Sequence, residues 1–592
     1  MRIVITTFVF LVLGFNLSAQ EKSLETYYEK SGGLRTPRYD ETIGYCKKLD
    51  AASPLITYTT FGISPQGRAL PLLIADSKGR TDVADIRNSG NLVLMVQACI
   101  HAGEPDGKDA GLLLLRDIIT KKELRPLLDH VSILFIPIFN VDGHERFGPF
   151  NRINQDGPEE MGWRTTAQNL NLNRDYLKAD APEMQAWLKL FNHWLPDFLV
   201  DCHVTDGADY QYVITYALEI HGNMEKKLSD WTSGVMEPYL VAGMEKVAMP
   251  VFPYVEFREW HDPRSGLVIN AAPPMLSQGY CAAQNRPALL IESHMLKPYK
   301  LRVEGTYEML RLVLQKMNDE AANLKKLIAG ADNFTKGTEF RETAFPLSFS
   351  ESFADSVMTD FRGVEYTIDT SDLTGGLWFH YDKNSPAAWQ IPMFPNPKPD
   401  AFVKLPEAYI IPPQFAEIIY RLKLHGVEMH ELKEEQTMDV STYRFSNARW
   451  QQRSYEGRHK LQCAVNESVE RKIFPAGSVL VPMNQRTARV IAHLLEPLSP
   501  DSFVSWGFFD AVLEQKEYFE TYVMEPEARK MIRENPALKE EFEKLKASDK
   551  AFAADQYAQL MWFYNKTPWS DKQFNLYPVG RIMNAETLGK LK

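Results

Sequence analysis

From residue 92 onward the chain alternates short, almost wholly apolar runs with amphipathic ones: LVLMVQACI, DGKDAGLLLLRDIITKKEL, VSILFIPIFN, APEMQAWLKLFNHW, DFLVDCH and, later, PALLIESH. The apolar runs have strand length and no polar alternate, so both of their faces must be covered. The runs between them place apolar residues at helical spacing. This alternation predicts an α/β fold, a mostly parallel sheet with helices on both faces. Sheets of that kind bind ligands beyond the carboxyl ends of their strands. Upstream, residues 23–52 read as helix. TYTTFGISPQGRALPLLIAD then reads as a β-hairpin about its Ser-Pro-Gln-Gly turn.

A chain of 592 residues holds more than this one unit. The expected organisation is a first domain over residues 20–330, closed by one long helix, TYEMLRLVLQKMNDEAANLKKLIAG. A β-rich connecting region over 331–404 follows, and then an α/β accessory region over 405–592 with a charged helical tail. The net charge of −11 and the absence of any Lys/Arg run argue against a nucleic-acid partner. Residues 1–19 form a secretory signal pattern: an early positive charge, an apolar run, then small and polar residues ending at Ala19. The apolar run over 3–15 is shorter than the roughly 20 residues a membrane span needs, so a retained N-terminal anchor is the weaker reading. Secretion or a periplasmic location follows, with no stable membrane insertion once the signal is removed. The five cysteines are odd in number and widely spaced, which is no disulfide framework. Cys99 and Cys202 end apolar strands, where a thiol packs as a small hydrophobe.

Three strand ends carry the chemistry. His101 and Glu104 follow the first apolar strand in one short loop, and His203 ends DFLVDCH. Two imidazole nitrogens and one carboxylate oxygen make the ligand set of a catalytic zinc, with a fourth position open. Glu292, in ALLIESHM, closes a third strand, where a carboxylate has no packing reason to stand. It is placed to act as general base and then acid. His294, two residues on, points the same way along a strand and reads equally as a supporting group or as a solvated imidazole. Arg164, in GWRTTAQ, and Asn173-Arg174, in NLNLNRDY, offer planar and amide donors for a carboxylate and for an oxyanion. Taken singly, each arginine reads as well as a surface ion-pair partner.

In order, His101-Ala-Gly-Glu104, Asn140-Val-Asp-Gly143, Trp163-Arg164, Asn173-Arg174, His203 and Glu292 resemble the motifs of the zinc carboxypeptidases of the funnelin type, peptidase family M14. GISPQGRAL is similar to that family's early Gly-x-Ser-x-x-Gly-Arg segment, and the resemblance covers roughly residues 36–330. It implies a mixed eight-stranded sheet with helices on both faces and one zinc ion per chain on His101, Glu104 and His203. It further implies that Arg164 polarises the scissile carbonyl and that Asn173 and Arg174 hold the substrate's terminal carboxylate, with Glu292 as base and acid. A mobile tyrosine that closes over substrate is often found upstream of the family's glutamate. Here Tyr280 is the nearest candidate, only twelve residues before Glu292, and a packed loop tyrosine is the competing reading. The Trp-, Tyr- and Pro-rich stretch over 207–285 is expected to form specificity loops.

The expected activity is hydrolysis of a C-terminal peptide bond in a peptide or peptide-like substrate with a free carboxylate. Two alternatives stand beside it. One is a zinc amidase acting on peptidoglycan-type peptides or acylated amino acids. The other is an inactive binding or scaffold protein, for which the large C-terminal region is the argument.

Overall fold

The computed structural model describes residues 24–589; the signal pattern at 1–19 lies outside them. The expected hairpin is present as β1 (Ile56–Ile63) and β2 (Ala69–Ala75), paired antiparallel. β3 (Leu92–Gln97), β4 (Val131–Ile136) and β5 (Phe198–Thr205) follow, then β6 (Ile214–Leu218) and β7 (Val251–Pro253). β8 (Glu256–Glu259) and β9 (Asp262–Val268) leave this sheet, and β10 (Ala288–His294) returns to it. The resulting sheet has eight strands in the order β1-β2-β4-β3-β5-β10-β6-β7. Its central pairs β4/β3, β3/β5 and β5/β10 are parallel, whereas β6 runs antiparallel to β10. This is the mixed, mostly parallel sheet expected.

Both faces are covered, which is why the central strands carry no polar alternate. Leu92, Leu94 and Val96 of β3 join one core with Leu112, Leu114 and Ile118 of the helix Asp106–Thr120 and Val313 of the helix Tyr299–Asp319. Val93 and Met95 turn to the other face and join Met184, Trp187 and Phe191 of the helix Pro182–Trp194. Gly107 lets the first of these helices sit directly on β5, since a Cβ there would overlap the side chain of Cys202. Cys99 and Cys202 are buried in the same core and are not bonded to each other.

Two expectations are corrected. The long closing helix is two, Tyr299–Asp319 and Ala321–Lys336, and the second runs past residue 330. The break falls at Glu320, whose carboxylate accepts bonds from Trp231 Nε1 and Asn323 Nδ2, partners that helical periodicity cannot reveal. Residues 23–52 contain the helices Tyr27–Lys30 and Tyr39–Ala52, separated at Gly32 and Gly33, both with positive φ.

Beyond the first unit, β11 (Phe345–Ser350) pairs with β14 (Lys398–Val403), and β12 (Val357–Thr370) with β13 (Leu377–Phe394) form a long hairpin. That hairpin joins β9 through Met393↔Leu267 and packs Phe361 against Tyr210, Tyr212 and Phe252. The stretch over 207–285 is therefore walled by residues more than a hundred positions downstream. A six-stranded sheet follows, made of β15 (Ala408–Ile411), β16 (His430–Glu431), β17 (Gln436–Trp450), β18 (Leu461–Phe474), β19 (Val479–Pro482) and β20 (Gly580–Ile582). The helices Ala416–Leu424 and Ala488–Leu495 give it the strand–helix character expected of the accessory region. Its Tyr409, Ile411, Leu422, Val481 and Ile491 enter the same core as Trp187 and Met95, so this region is packed onto the first sheet. The charged tail is helical as expected, over Thr521–Glu534, Pro536–Ser548 and Gln556–Tyr564.

Candidate active site

The carboxyl ends of β3, β5 and β10 meet at one point. The loop after β3 carries His101 and Glu104, β5 carries His203, and β10 carries Glu292 in register with His203. The loop is held by the start of the next helix: Asp106 accepts bonds from Ser293 Oγ of β10 and from the buried guanidinium of Arg302. That lock fixes the distance between the Glu104 side of the site and the Glu292 side.

One ligand atom from each of His101, Glu104 and His203 lies within 4.8 Å of the others. His101 Nδ1 and His203 Nδ1 stand 3.2 Å apart, and each is 3.2 Å from Glu104 Oε2. The outer nitrogens face acceptors. His101 Nε2 is 3.0 Å from Asn171 Oδ1, and His203 Nε2 is 3.0 Å from Asp201 Oδ2. Asn171 as acceptor keeps the His101 proton on Nε2 and turns its Nδ1 lone pair inward, and the Asp201 carboxylate beside His203 Nε2 favours the same tautomer by charge, without an aligned hydrogen bond. Two inward lone pairs and a carboxylate are a donor set that fits a divalent cation such as zinc. Burial pulls His101 down to about 4. Burial acts in the same direction on His203, but Asp201 and Glu104 outweigh it and hold that ring above its ordinary value. Glu104 is held well below the usual carboxylate range: burial opposes this, but His101, Arg152 and His203 prevail.

Around this trio is a cavity of about 280 Å³ whose walls include Glu292, Arg152, Arg164, Asn173, Arg174 and Tyr254. Burial lifts Glu292 to about 8; His203 and Arg164 act against the rise, while Glu104 and Asp201 add to it. Its Oε2 has no hydrogen-bond partner among the described residues. Arg164 is held from behind: Asn140 Nδ2 donates to its carbonyl, and Trp163 N donates to Gly143 O. Asp142 of the same turn accepts from Ser64 Oγ, Gln66 N and Arg68 Nη1, so the β1–β2 hairpin buttresses the turn that carries Arg164. Asn173 and Arg174 sit on the short 3₁₀ turn Leu172–Arg174, where Asn171 Oδ1 accepts from Asn173 N.

The structure thus brings His101, Glu104, His203, Glu292, Arg164, Asn173 and Arg174 to one cavity. It does not bring Tyr280. That residue lies within the helix Ser277–Ala283 and is fully buried, with its hydroxyl 3.0 Å from His425 Nδ1 and accepting from Gln284 Nε2. The physical reason is packing: Tyr176, Trp187 and Phe191 surround the ring. The tyrosine at the cavity is Tyr254, just past β7, whose distance along the chain from every motif hid it. His294 is neither a supporting group nor solvated. It is buried, with Nε2 2.8 Å from Ala208 O and Nδ1 accepting from Leu296 N.

Arg152, whose Nη2 is 3.0 Å from Glu104 Oε1, carried no sequence signal. Asp201 did carry one, since a residue two before His203 on a strand shares its face.

Residues 42–210 match the family model described as zinc carboxypeptidase, Peptidase_M14. Carboxypeptidase 2 of Trichophyton rubrum is 24% identical over 504 residues, covering 81% of this chain and 85% of that protein. Carboxypeptidase 2 of Trichophyton equinum matches to the same extent. A metallo-carboxypeptidase from Pseudomonas aeruginosa, solved in complex with (2-guanidinoethylmercapto)succinic acid, overlaps 48% of this chain and 70% of its own at 16% identity and a TM-score of 0.37. Over residues 42–210 the chain is thus similar to the zinc carboxypeptidases. These likenesses support a metallocarboxypeptidase, a hydrolase of peptide bonds. The 504-residue likeness to the fungal proteins also reaches well beyond the matched domain.

Proposed function

We propose that this site removes the C-terminal residue from peptides with a free carboxylate, and that His101, Glu104 and His203 hold its single zinc ion. Zinc bound there supplies a Lewis acid that lowers the pKa of water and polarises a carbonyl. Glu292 takes the proton of the attacking water and returns it to the leaving amine, a task open to a carboxylate in this cavity whose Oε2 has no other partner among the described residues. The Arg164 guanidinium bears the charge that develops on the carbonyl oxygen. Asn173 and Arg174 hold the terminal carboxylate and so set which bond is presented. The observation that carries this reading is the gathering of carboxylate-binding donors and Glu292 in the cavity of the His101–Glu104–His203 trio.

A metal assay together with a peptide-library digest read by mass spectrometry tests it. The expected result is zinc in the protein and single residues lost from free C-termini. Equal rates on free and amidated C-termini would overturn the carboxylate requirement and favour the amidase alternative. The signal pattern over 1–19 supports export to the periplasm or medium. Among the described residues no helix is long and apolar enough to cross a membrane.

We further propose that the side-chain preference is set by a second, larger cavity of about 570 Å³ that shares Tyr254, Leu276 and Gln278 with the first. Its lining includes Glu219, Glu237 and Glu256 and neither Lys nor Arg. Glu219 is buried and accepts from His221 N at 2.9 Å and Ala272 N at 2.6 Å, and burial lifts it to about 7. A cation entering such a site restores the charged carboxylate. This cavity is assigned to the side chain of the released residue, with Lys or Arg preferred.

A further inference from the structure

β17 and β18 of the C-terminal sheet extend as a hairpin whose tip reaches the wall of the active-site cavity. At the tip, Tyr455 and Arg458 are bridged through Tyr455 N to Arg458 O at 2.8 Å. Glu456 and Gly457 between them both have positive φ, 50° and 78°, the two-residue turn that suits a hairpin's twist. A Cβ on Gly457 would stand 3.3 Å from Leu170 Cδ2, so the tip sits directly on the segment leading into the 3₁₀ turn Leu172–Arg174.

Three polar contacts join the two. Asn171 N donates to Glu456 Oε2 at 3.1 Å. Arg174 Nε donates to Tyr455 Oη at 3.1 Å. Arg458 grips Asp180 with Nε at 2.7 Å and Nη2 at 2.8 Å, a bidentate pair that fixes the docking angle. The Tyr455 ring is held in turn by stacking on Trp506, with centroids 6.0 Å apart and planes at 10°. Neither end of these contacts is idle. Asn171 faces His101 Nε2 and accepts from Asn173 N, and Arg174 lines the cavity. Arg174 Nη1 is tied back to Asn173 O, so the Tyr455 hydroxyl holds the guanidinium from a second direction.

We infer that Tyr455 and Glu456 are positioning residues for the reaction, so that the C-terminal region completes the site: Tyr455 orients the Arg174 guanidinium for the substrate carboxylate, and Glu456 holds the turn that carries Asn171 and Asn173. Fixing a guanidinium before substrate arrives lowers the ordering needed at binding. The effect therefore falls on substrate binding rather than on the chemical step. The inference rests on the reading of Arg174 as the carboxylate-holding group.

The test is steady-state kinetics of the full chain on one peptide and its C-terminal amide. Tyr455→Phe keeps the ring on Trp506 and removes only the hydroxyl. It is expected to raise KM for the free peptide about five- to tenfold, with kcat within twofold and zinc content unchanged. The preference for the free peptide over the amide should fall by the same factor. Glu456→Ala should raise KM similarly, and Glu456→Gln, which keeps an acceptor oxygen, should restore it. Arg174→Met is the reference. If it leaves KM unchanged, the reading of the clamp fails and the inference with it. If Arg174→Met raises KM but Tyr455→Phe matches the wild type in KM and in free-over-amide preference, the inference alone is overturned. Should Glu456→Ala not fold, the Tyr455→Phe result decides.

Discussion

Glu292 stands directly opposite His203, the two being register partners on the parallel strands β10 and β5. That relation places a carboxylate beside the proposed zinc ligands without making it one of them. A base is needed there, and a fourth protein ligand would close the open position. Glu292→Gln keeps the shape and removes the base. Turnover is expected to fall a hundred- to ten-thousandfold with zinc stoichiometry unchanged. Activity within tenfold of wild type, measured on protein of full zinc content, would refute the assignment.

Asp201 is the group behind His203. It is buried on the same strand, with Oδ2 3.0 Å from His203 Nε2. Partners of this kind fix the ring and raise its basicity, and their loss typically weakens metal binding ten- to a hundredfold. Asp201→Asn is expected to lower zinc affinity in that range when titrated against a chelator. His203→Ala should abolish stoichiometric zinc altogether. An unchanged affinity in the first variant, or retained zinc in the second, would remove His203 from the ligand set.

The sheet was legible because β3, β4, β5 and β10 are buried on both faces, which leaves continuous apolar runs in the sequence. The candidate ligands were legible because polar residues at the ends of such runs have no packing reason to be there. Tyr254 was not, because what places it is long-range: β9 pairs with β13 at Leu267↔Met393, and Tyr254 N is tied to Tyr216 O. Tyr280 misled because nearness to Glu292 in sequence says nothing about which face of its helix meets the core. The reach of Tyr455 to Arg174 spans 281 positions, and nothing local to either residue encodes it.

Glu219 tests the side-chain preference. Wild-type enzyme should release C-terminal Lys or Arg faster than Leu or Phe. Glu219→Gln should cut kcat/KM for the cationic residues about ten- to a hundredfold while leaving apolar ones within a few-fold. Competing peptides that differ only in the last residue, digested together, give this ratio in one measurement. A wild-type preference for apolar residues would show that the larger cavity does not receive the released side chain.

Glu183 supplies a pH dependence independent of catalysis. It lies in the first turn of the helix Pro182–Trp194, is fully buried, and neither carboxylate oxygen has a hydrogen-bond partner among the described residues. Burial lifts its pKa from 4.5 to about 7, with Asp142 and Asp175 adding to the rise against its own backbone N–H. Between those two values the folded protein holds a proton that the unfolded chain releases, so stability falls as pH rises through that window. Above it the burial of the charged carboxylate costs roughly 3 kcal/mol. Glu183→Gln abolishes the ionisation. The variant should match wild type in thermal unfolding near pH 4.5 and become the more stable of the two as pH approaches 8. Parallel curves of Tm against pH for the two proteins would show that Glu183 does not titrate in this window.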